Sequence, residues 1–483
     1  MSQETVQHAP TVGQVVEQEA GLVRISALDT LRVVAEVFLP LVAQGVIMRR
    51  PRLVTLTGRL DLQRRGDQLL RGLRARYGSG PVLLRLPGRT VAVVLDAGDA
   101  RRVLDESPDP FTLANREKRG ALRHFEPTGV LVTRGPIRGE RRRLNEAVLE
   151  PHRRVHHLGG AFAGVVADEA AALLDVAGPA GELDWPGFAD AWWRIVRRIV
   201  LGDAARDDRG VTDLLSQLRR DANWAYLRPV HASTRHRFQA RLRWYLDEAR
   251  RAEQQAARPQ VRPSQSPDGP APGSAWRGLV DVLSRQQYAP GADPAGQIPQ
   301  WLFAFDAAGV AAYRTLALLA THPEQAQQAR ADSTGGRLRA GVLESLRLWP
   351  TTPVILRDTT APTLWRGRGM PAGTTVALVS SYFHRDVGLP FADRFEPDIW
   401  LDGTPCDGLR PGHALAPEHM LIPFSAGPAQ CPGRDLALFT TSTLLAVLMR
   451  AYRYTLQPAV LDPARPLPAT LNFAELRFAL TTG

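Results

Sequence analysis

The chain has 483 residues, 44% of them hydrophobic, so it can bury a large core. Its formal net charge at pH 7 is +11, and nearly all the basic residues are arginines because Lys118 is the only lysine. No nucleic-acid motif and no basic run interleaved with aromatic residues is present, so nucleic acid is excluded and an acidic protein partner is favoured. Two cysteines make no disulfide framework and suit a reducing cytoplasm, where we expect the protein.

The N-terminal region predicts no membrane span. Residues 1–20 are polar, so we expect a disordered tail and no secretory signal. Residues Leu31–Met48 are apolar overall, but a span needs about 20 consecutive apolar residues, and charged residues, a proline and a glutamine interrupt this run. We expect the segment to pack on the body of the protein or to make peripheral contact with a membrane surface.

Helical periodicity dominates the chain. A helix over Leu62–Arg76, capped by Asp61, precedes a hairpin over Pro81–Val94 that turns at Pro87-Gly88. Further helices are predicted over Ala97–Asp105, Glu140–Leu149, Gly160–Leu174, Phe188–Leu201, Val211–Ala222 and Arg235–Glu253. Strand signals are few, which predicts a mainly α protein with small sheets.

Three stretches differ from this pattern. Residues Phe111–Thr133 have little periodicity and predict a loop over a ligand. Residues 256–274 are rich in Pro, Ser and Gly, which predicts an exposed insertion between helices of one domain spanning residues 1–483. Residues Trp301–Thr321 are apolar nearly all round, which is typical of a helix crossing the centre of a domain.

The stretch Phe424–Ala437 contains Cys431, one of the two cysteines. Pro432 is favoured at the first position of a helix, which would put Cys431 at the helix N-terminus. The helix dipole would lower the pKa of the thiol there, and a thiolate is a soft metal ligand suited to haem iron. A lone cysteine before a helix is more often a small buried residue, so residue types alone leave both interpretations open.

This stretch resembles the haem-binding signature of the cytochrome P-450 superfamily, F-x-x-G-x-x-x-C-x-G-x-x-L-A. Ser425 and Ala429 depart from the usual family residues, a glycine and a base. The resemblance implies the P-450 fold, with haem b (iron protoporphyrin IX) held between the long central helix and this loop, and Cys431 as the axial iron ligand. The matched positions are Phe424, Gly427, Cys431, Gly433, Leu436 and Ala437.

Two further motifs resemble family elements. Glu344 and Arg347 form an E-x-x-R at i and i+3, which by itself predicts only a surface pair. Its position before the cysteine stretch, and the later segment Asp393–Pro397, imply a buried structural cluster of Glu344, Arg347 and Arg394.

Several arginines are implied to bind the haem propionates. Arg357 follows the E-x-x-R helix on a predicted strand, where similar sequences bind a propionate, and guanidinium groups suit carboxylates. Arg138 and Arg142 stand where the family has W/H-x-x-x-R, and either could replace the base missing at Ala429.

The long helix carries an unusual sequence at its centre. Residues 303–307 align with the family motif A/G-G-x-D/E-T, so Asp306 keeps the acid while Ala307 replaces the alcohol. The resemblance implies that Asp306 helps to organise water and protons for oxygen chemistry, a general-acid task. A salt-bridge or N–H partner within the helix is the alternative role for Asp306.

The resemblance implies a bacterial-type soluble monooxygenase, iron-dependent and monomeric, acting on a small organic substrate of the secondary-metabolite kind. Electrons would come from a separate ferredoxin or flavoprotein, since no flavin or iron–sulfur motif is present. One alternative is haem-thiolate chemistry of another kind, namely coupling, dehydration or peroxide-driven oxidation, for which the alcohol is dispensable. Another is a catalytically silent haem protein that recruits a partner.

Overall fold

The structure is a computed structural model, and it describes residues 21–256, 278–401 and 420–482. The predicted tail over residues 1–20 lies outside the described residues. The predicted insertion over residues 256–274 also lies outside them, except for Ala256 at the end of a helix. Cys406 is likewise outside the described part of the chain.

The described chain is mainly helical, as the sequence predicts. A π-helical turn at Val34–Phe38 joins the first two helices. The helices are α1 (Ala27–Val33), α2 (Leu39–Gln44), α3 (Pro51–Arg59), α4 (Leu62–Tyr77), α5 (Ala97–Asp105), α6 (Arg116–Leu122), α7 (Pro136–Leu149), α8 (Gly159–Ala180), α9 (Trp185–Leu201), α10 (Arg209–Ala222), α11 (Ala232–Ala256), α12 (Gly278–Ser284), α13 (Ile298–Thr321), α14 (Pro323–Ala331), α15 (Gly336–Leu348), α16 (Ser380–His384) and α17 (Arg434–Ala451).

The strands form three small sheets. A five-stranded sheet has the order β1-β2-β8-β5-β3, a three-stranded sheet has the order β4-β10-β9, and β6 and β7 form a pair. The predicted hairpin is confirmed, with Val82 opposite Val93 across the turn. The strands are β1 (Val82–Leu86), β2 (Arg89–Val93), β3 (Phe111–Thr112), β4 (Glu182–Asp184), β5 (Val354–Thr359), β6 (Thr363–Trp365), β7 (Arg368–Met370), β8 (Thr375–Val379), β9 (Arg453–Gln457) and β10 (Arg477–Thr481).

Two local predictions are wrong. The stretch Phe111–Thr133 is not a continuous loop, because it contains β3 and α6. The side chain of Asn115 caps α6 by accepting a hydrogen bond from the backbone N–H of Lys118 at 2.8 Å, a short-range signal that periodicity does not detect. Asp61 makes no side-chain cap, since it adopts a left-handed conformation before α4.

Helix α13 crosses the core, as expected from its apolar sequence. The helical stretch Ala295–Thr321 is the only one among the described residues that is long and apolar enough to cross a membrane, but 78% of its most apolar window is buried inside the protein. The indole Nε1 of Trp192 donates to the carbonyl of Phe305 at 2.8 Å. A Cβ on Gly309 would lie 2.5 Å from that Nε1, so this contact with α9 requires glycine.

The E-x-x-R pair is fully buried. Arg347 binds Glu344 in bidentate geometry, with Nη2–Oε1 and Nε–Oε2 distances of 2.7 and 2.8 Å. The remaining lone pairs of the carboxylate accept from the backbone N–H of Glu396 at 2.9 Å and the indole of Trp400 at 2.8 Å. Such a pair is stable in a low-dielectric interior because all its partners are present.

The prediction that the side chain of Arg394 belongs to this cluster is wrong. The side chain of Arg394 is exposed, and the residue contributes its backbone carbonyl, which accepts from Arg347 Nη2 at 2.8 Å. Nη1 of Arg347 donates to the carbonyl groups of His384 and Ala392, and Nη2 also donates to that of Phe391. Backbone groups therefore complete the cluster, and a second guanidinium is not needed.

This arrangement predicts unequal costs for two arginine substitutions. Arg347→Ala leaves the Glu344 carboxylate buried without its counter-charge, and we expect a loss of about 3–5 kcal/mol in the free energy of unfolding. Arg394→Ala removes an exposed side chain and should cost no more than about 0.5 kcal/mol. Denaturant unfolding of both variants measures the difference, and equal losses would contradict the assignment.

Candidate functional site

The loop around Cys431 is closed by its own backbone. The N–H of Cys431 donates to the carbonyl of Phe424 at 3.0 Å, which brings the two ends of the motif together. Gly427 has a φ of +66°, and a Cβ there would lie 2.3 Å from the carbonyl oxygen of Leu104. Glycine is therefore obligatory at this turn. At Gly433, in contrast, a Cβ would meet protein only at 4.0 Å, at Cδ1 of Leu149.

Ser425 shows why the related signature has glycine at its position. Its φ is +62°, in the left-handed region that L side chains rarely adopt. The hydroxyl of Ser425 is 3.5 Å from Nη2 of Arg357. The departure from the family pattern thus adds a polar contact to the loop.

Two expectations about Cys431 itself are wrong. Helix α17 begins at Arg434, so Cys431 lies three residues before it and Pro432 is not its first residue. Burial raises the pKa of the Cys431 thiol, although the backbone N–H of Gly433 and the nearby charges of Arg142 and Arg434 oppose that effect. A bound metal cation would favour the thiolate form of this side chain.

Arg357 lies on β5 and is 2% exposed. Its Nε donates to the hydroxyl of Ser107 at 3.0 Å and its Nη1 to the carbonyl of Leu356 at 3.0 Å. Burial lowers the pKa of Arg357 to about 10, and repulsion from Arg138 adds to that effect. The guanidinium is a buried cation whose protein partners are all neutral.

Two more cations lie near Arg357. Arg138 on α7 is 9% exposed, and its Nε has no hydrogen-bond partner. The ammonium of Lys118 on α6 is 3.5 Å from the carbonyl of Leu356. Burial lowers the pKa of Lys118 well below its usual value, and Arg357 contributes to the same effect. Within the described residues none of these three cations forms an ion pair with a carboxylate.

Arg142, the other predicted propionate partner, differs from Arg138. Its Nε is paired with Oε1 of Glu146 at 2.6 Å, one helical turn further along α7. Its charge also acts on Cys431, where it lowers the pKa of the thiol. The structure therefore groups Arg138 with Arg357 and leaves Arg142 already neutralised.

The central part of α13 has one charged contact. Asp306 Oδ2 is 2.5 Å from Nη2 of Arg219, a residue of α10 that is only 3% exposed. Ala307, next to it, is half-buried, and Ala304 is exposed although it lies at the centre of the core helix. This face of α13 is thus open and lined by alanine, while the predicted acid is engaged in a salt bridge.

Sequence reasoning missed Lys118 and Arg219. Lys118 could have been singled out because it is the only lysine and falls in the stretch expected to cover a ligand. Arg219 is one of many arginines, and only its ion pair with Asp306 of α13 distinguishes it.

The residues around Cys431 fit a haem group. The half-buried thiol of Cys431 suits a metal ion. The buried guanidinium groups of Arg357 and Arg138 and the half-buried ammonium of Lys118, none paired with a carboxylate, suit the two propionates of iron protoporphyrin IX. The orphaned Nε of Arg138 is the strongest single indication, since buried donors without an acceptor are rare.

Comparisons with known proteins agree with this chemistry. The sequence model of the family "Cytochrome P450" matches residues 337–474. Among curated relatives, cytochrome P450 714C2 of rice is 29% identical over 187 residues, which is 33% of this chain and 34% of that protein. Cyclooctat-9-en-7-ol 5-monooxygenase of Streptomyces melanosporofaciens is 33% identical over 133 residues, 27% of this chain and 25% of that protein.

A solved structure extends the likeness in three dimensions. The structure of the retinoic acid-bound cyanobacterial CYP120A1 superposes with a TM-score of 0.62 over 86% of this chain and 94% of that one, at 18% identity. In sequence, however, the match to the two curated relatives spans only about a third or less of their length. The structural likeness establishes the fold alone.

The fold is that of the cytochromes P450. Residues 337–474 also match the family's sequence model, and that stretch contains the buried Glu344–Arg347 pair and Cys431. The cofactor that this fold and family imply is haem, iron protoporphyrin IX.

We expect Cys431→Ala to abolish thiolate ligation. The reduced, carbon monoxide-bound wild-type protein should show the strongly red-shifted Soret band of a thiolate-bound haem, because thiolate donates electron density to the iron. The variant should lack that band while keeping the same far-ultraviolet circular dichroism. A retained band would exclude Cys431 as the ligand.

Loss of Arg357 should weaken haem retention. Arg357→Ala removes a buried cation, so a propionate would lose a charge-assisted bond worth about 1.5–3 kcal/mol. The measurement is haem lost to excess apomyoglobin, with exposed Arg450→Ala as the matched control. Equal rates of loss in the two variants would contradict a propionate role for Arg357.

Proposed function

We propose that the protein is a haem-thiolate monooxygenase that inserts one oxygen atom of O2 into a small organic substrate. In this proposal it is a soluble bacterial-type enzyme, monomeric and cytoplasmic, and it takes electrons from a separate ferredoxin or flavoprotein. The observation that carries the proposal is the half-buried thiol of Cys431 in a loop whose Ser425 contacts Arg357, one of three cations without carboxylate partners. The partial match to curated cytochromes P450 supports the same reaction class.

When bound, haem supplies an iron centre for oxygen activation, and the residues of this chain supply its environment. Cys431 would hold the iron through its sulfur atom. Arg357, Arg138 and Lys118 hold and orient the propionates by charge-assisted hydrogen bonds. The apolar side chains of α13 would help to exclude bulk water from the site.

Proton delivery has to differ from that of relatives with an alcohol at position 307. Ala307 cannot donate a hydrogen bond, so a proton must arrive through water at Asp306 or from a hydroxyl of the substrate. Oδ2 of Asp306 is engaged by Arg219, so the transfer uses the second carboxylate oxygen or requires Arg219 to release the first.

The alanine at position 307 also favours a second candidate function. Coupling, dehydration or peroxide-driven oxidation on the same haem does not depend on a hydroxyl here. The relatives suggest an apolar substrate that carries a polar group, since one is named for an alcohol substrate and another is bound to retinoic acid. We propose a secondary-metabolite-like substrate of that kind.

Turnover with isotopically labelled oxygen tests the proposal. A substrate found by its effect on the haem spectrum is incubated with 18O2, NAD(P)H and a ferredoxin–reductase pair. One labelled oxygen atom in the product supports monooxygenation. Product formed with hydrogen peroxide but not with O2 favours the second candidate, and no product under either condition favours a silent haem protein that recruits a partner.

Position 307 should control how efficiently electrons yield product. We expect Ala307→Thr to raise the ratio of product to reducing equivalents with apolar ligands, because a restored hydrogen bond of about 1.5–3 kcal/mol could move this ratio roughly tenfold. Ala320→Thr adds the same hydroxyl about 20 Å further along the helix and should have no effect. An unchanged ratio for every ligand would show that the missing alcohol is irrelevant.

A further inference from the structure

A second cationic site lies away from the Cys431 loop. It is a small, partly open cleft between the N-terminal helices, the end of α15 and the segment before β10. Arg49 and Arg314 both line it, together with apolar and neutral polar side chains that include Gln63, Trp349, Leu471 and Phe473. None of the described residues that line it is acidic.

The two arginines are held in place by backbone carbonyl groups. Arg314, on α13, donates from Nη1 to the carbonyl of Trp349 at 3.2 Å and from Nη2 to that of Leu471 at 2.7 Å. Arg49 donates to the carbonyl groups of Gly45 and Thr351 at 3.1 and 3.3 Å. Each guanidinium has five N–H donors, so both keep donors for a further acceptor.

The walls of the cleft also present buried donors that nothing satisfies. Nε of Arg314 and Nε2 of Gln63 have no hydrogen-bond partner. Buried donors of this kind are rare unless a ligand or water completes them. Unsatisfied donors and an excess of positive charge both call for an anionic acceptor.

The charge balance of this region points the same way. Burial lowers the pKa of Arg314 to about 9, with a further contribution from Arg49, and burial lowers the pKa of Arg49 to about 10. Both side chains remain cations at neutral pH. Asp306 is the carboxylate that acts on Arg49, but it is already paired with Arg219. Arg49 and Arg219 thus share one carboxylate, while the hydrogen-bond acceptors of Arg314 are backbone carbonyl groups.

We propose that this cleft binds the carboxylate of an elongated apolar substrate through Arg49 and Arg314. The inference rests on the proposed function and specifies its substrate class. Arg314 stands seven residues beyond Ala307 on the same helix, which is about 10 Å at 1.5 Å per residue. A carboxylate in the cleft therefore places an apolar chain of about that length against the open alanine face of α13.

A purely structural role explains less of what is observed. The backbone bonds of Arg314 would account for its burial, as would its position 5.6 Å from the ring of Phe473. They do not account for a second arginine lining the same cleft or for the orphaned N–H groups of Arg314 and Gln63.

Calorimetric titration of the haem-loaded protein with dodecanoic acid and with methyl dodecanoate tests the proposal. The wild-type protein should bind the acid at least about tenfold more tightly, because only the acid carries a charge that can pair with the arginines. Arg49→Gln should abolish this preference while leaving ester affinity unchanged, and Arg49→Lys should keep part of it. Exposed Arg52→Gln, with the same change of charge, is the matched control and should behave as wild type.

Arg314→Gln should also lose the preference, provided that its unfolding midpoint shows a folded protein. Equal affinities for acid and ester in the wild-type protein would overturn the proposal. So would a preference that survives both glutamine variants. If inorganic phosphate stabilises the wild-type protein while acid and ester bind alike, the site takes a free anion and the substrate assignment is wrong.

The same experiment separates this inference from the proposed function. Binding is measured without turnover, so a carboxylate preference in a protein that oxidises nothing would leave the cleft assigned and refute the monooxygenase. If the protein binds the ester and the acid with equal affinity and oxidises both, the cleft assignment is refuted and the monooxygenase is supported.

Discussion

Buried positive charge without a protein counter-charge is the constraint on which this structure depends. A guanidinium or ammonium group removed from water is costly unless it is paired, and the cost is large enough to shift the pKa of Lys118 and Arg357 downwards. The pair Glu344–Arg347 shows how the same protein satisfies a buried cation when the role is structural. This contrast indicates that an anionic group balances the buried positive charge of the Cys431 region.

The same constraint gives the arginine-rich composition a functional interpretation. Many arginines of the described chain form ion pairs at the surface, where such pairs contribute little to stability. A few are carried inward by helices α7, α10 and α13 and by strand β5. Around Cys431 they suit the propionates of haem, and beside α13 they suit a carboxylate of a substrate, so one residue type would serve both cofactor and substrate binding.

The sequence predicted much of the fold and part of the site. Helical periodicity located α4, α5, α9, α10 and α13 to within a few residues because each buries one apolar face or is apolar throughout. The signature around Cys431 pointed to haem through its resemblance to a family motif, and its glycine at 427 meets a local backbone requirement. Periodicity did not predict helix α6, because its cap, Asn115, acts over only three residues and the apolar face of the helix is short.

What the sequence determined by itself was local: the helices, the turn at Gly427 and the spacing of Glu344 and Arg347. Only the tertiary structure decided which charges meet. It placed Lys118 beside Arg357, paired Asp306 with Arg219, moved the side chain of Arg394 to the surface and set Arg49 against Arg314. The physical reason is that electrostatic partnership depends on distance in space and on burial, and neither is encoded in the spacing of residues along the chain.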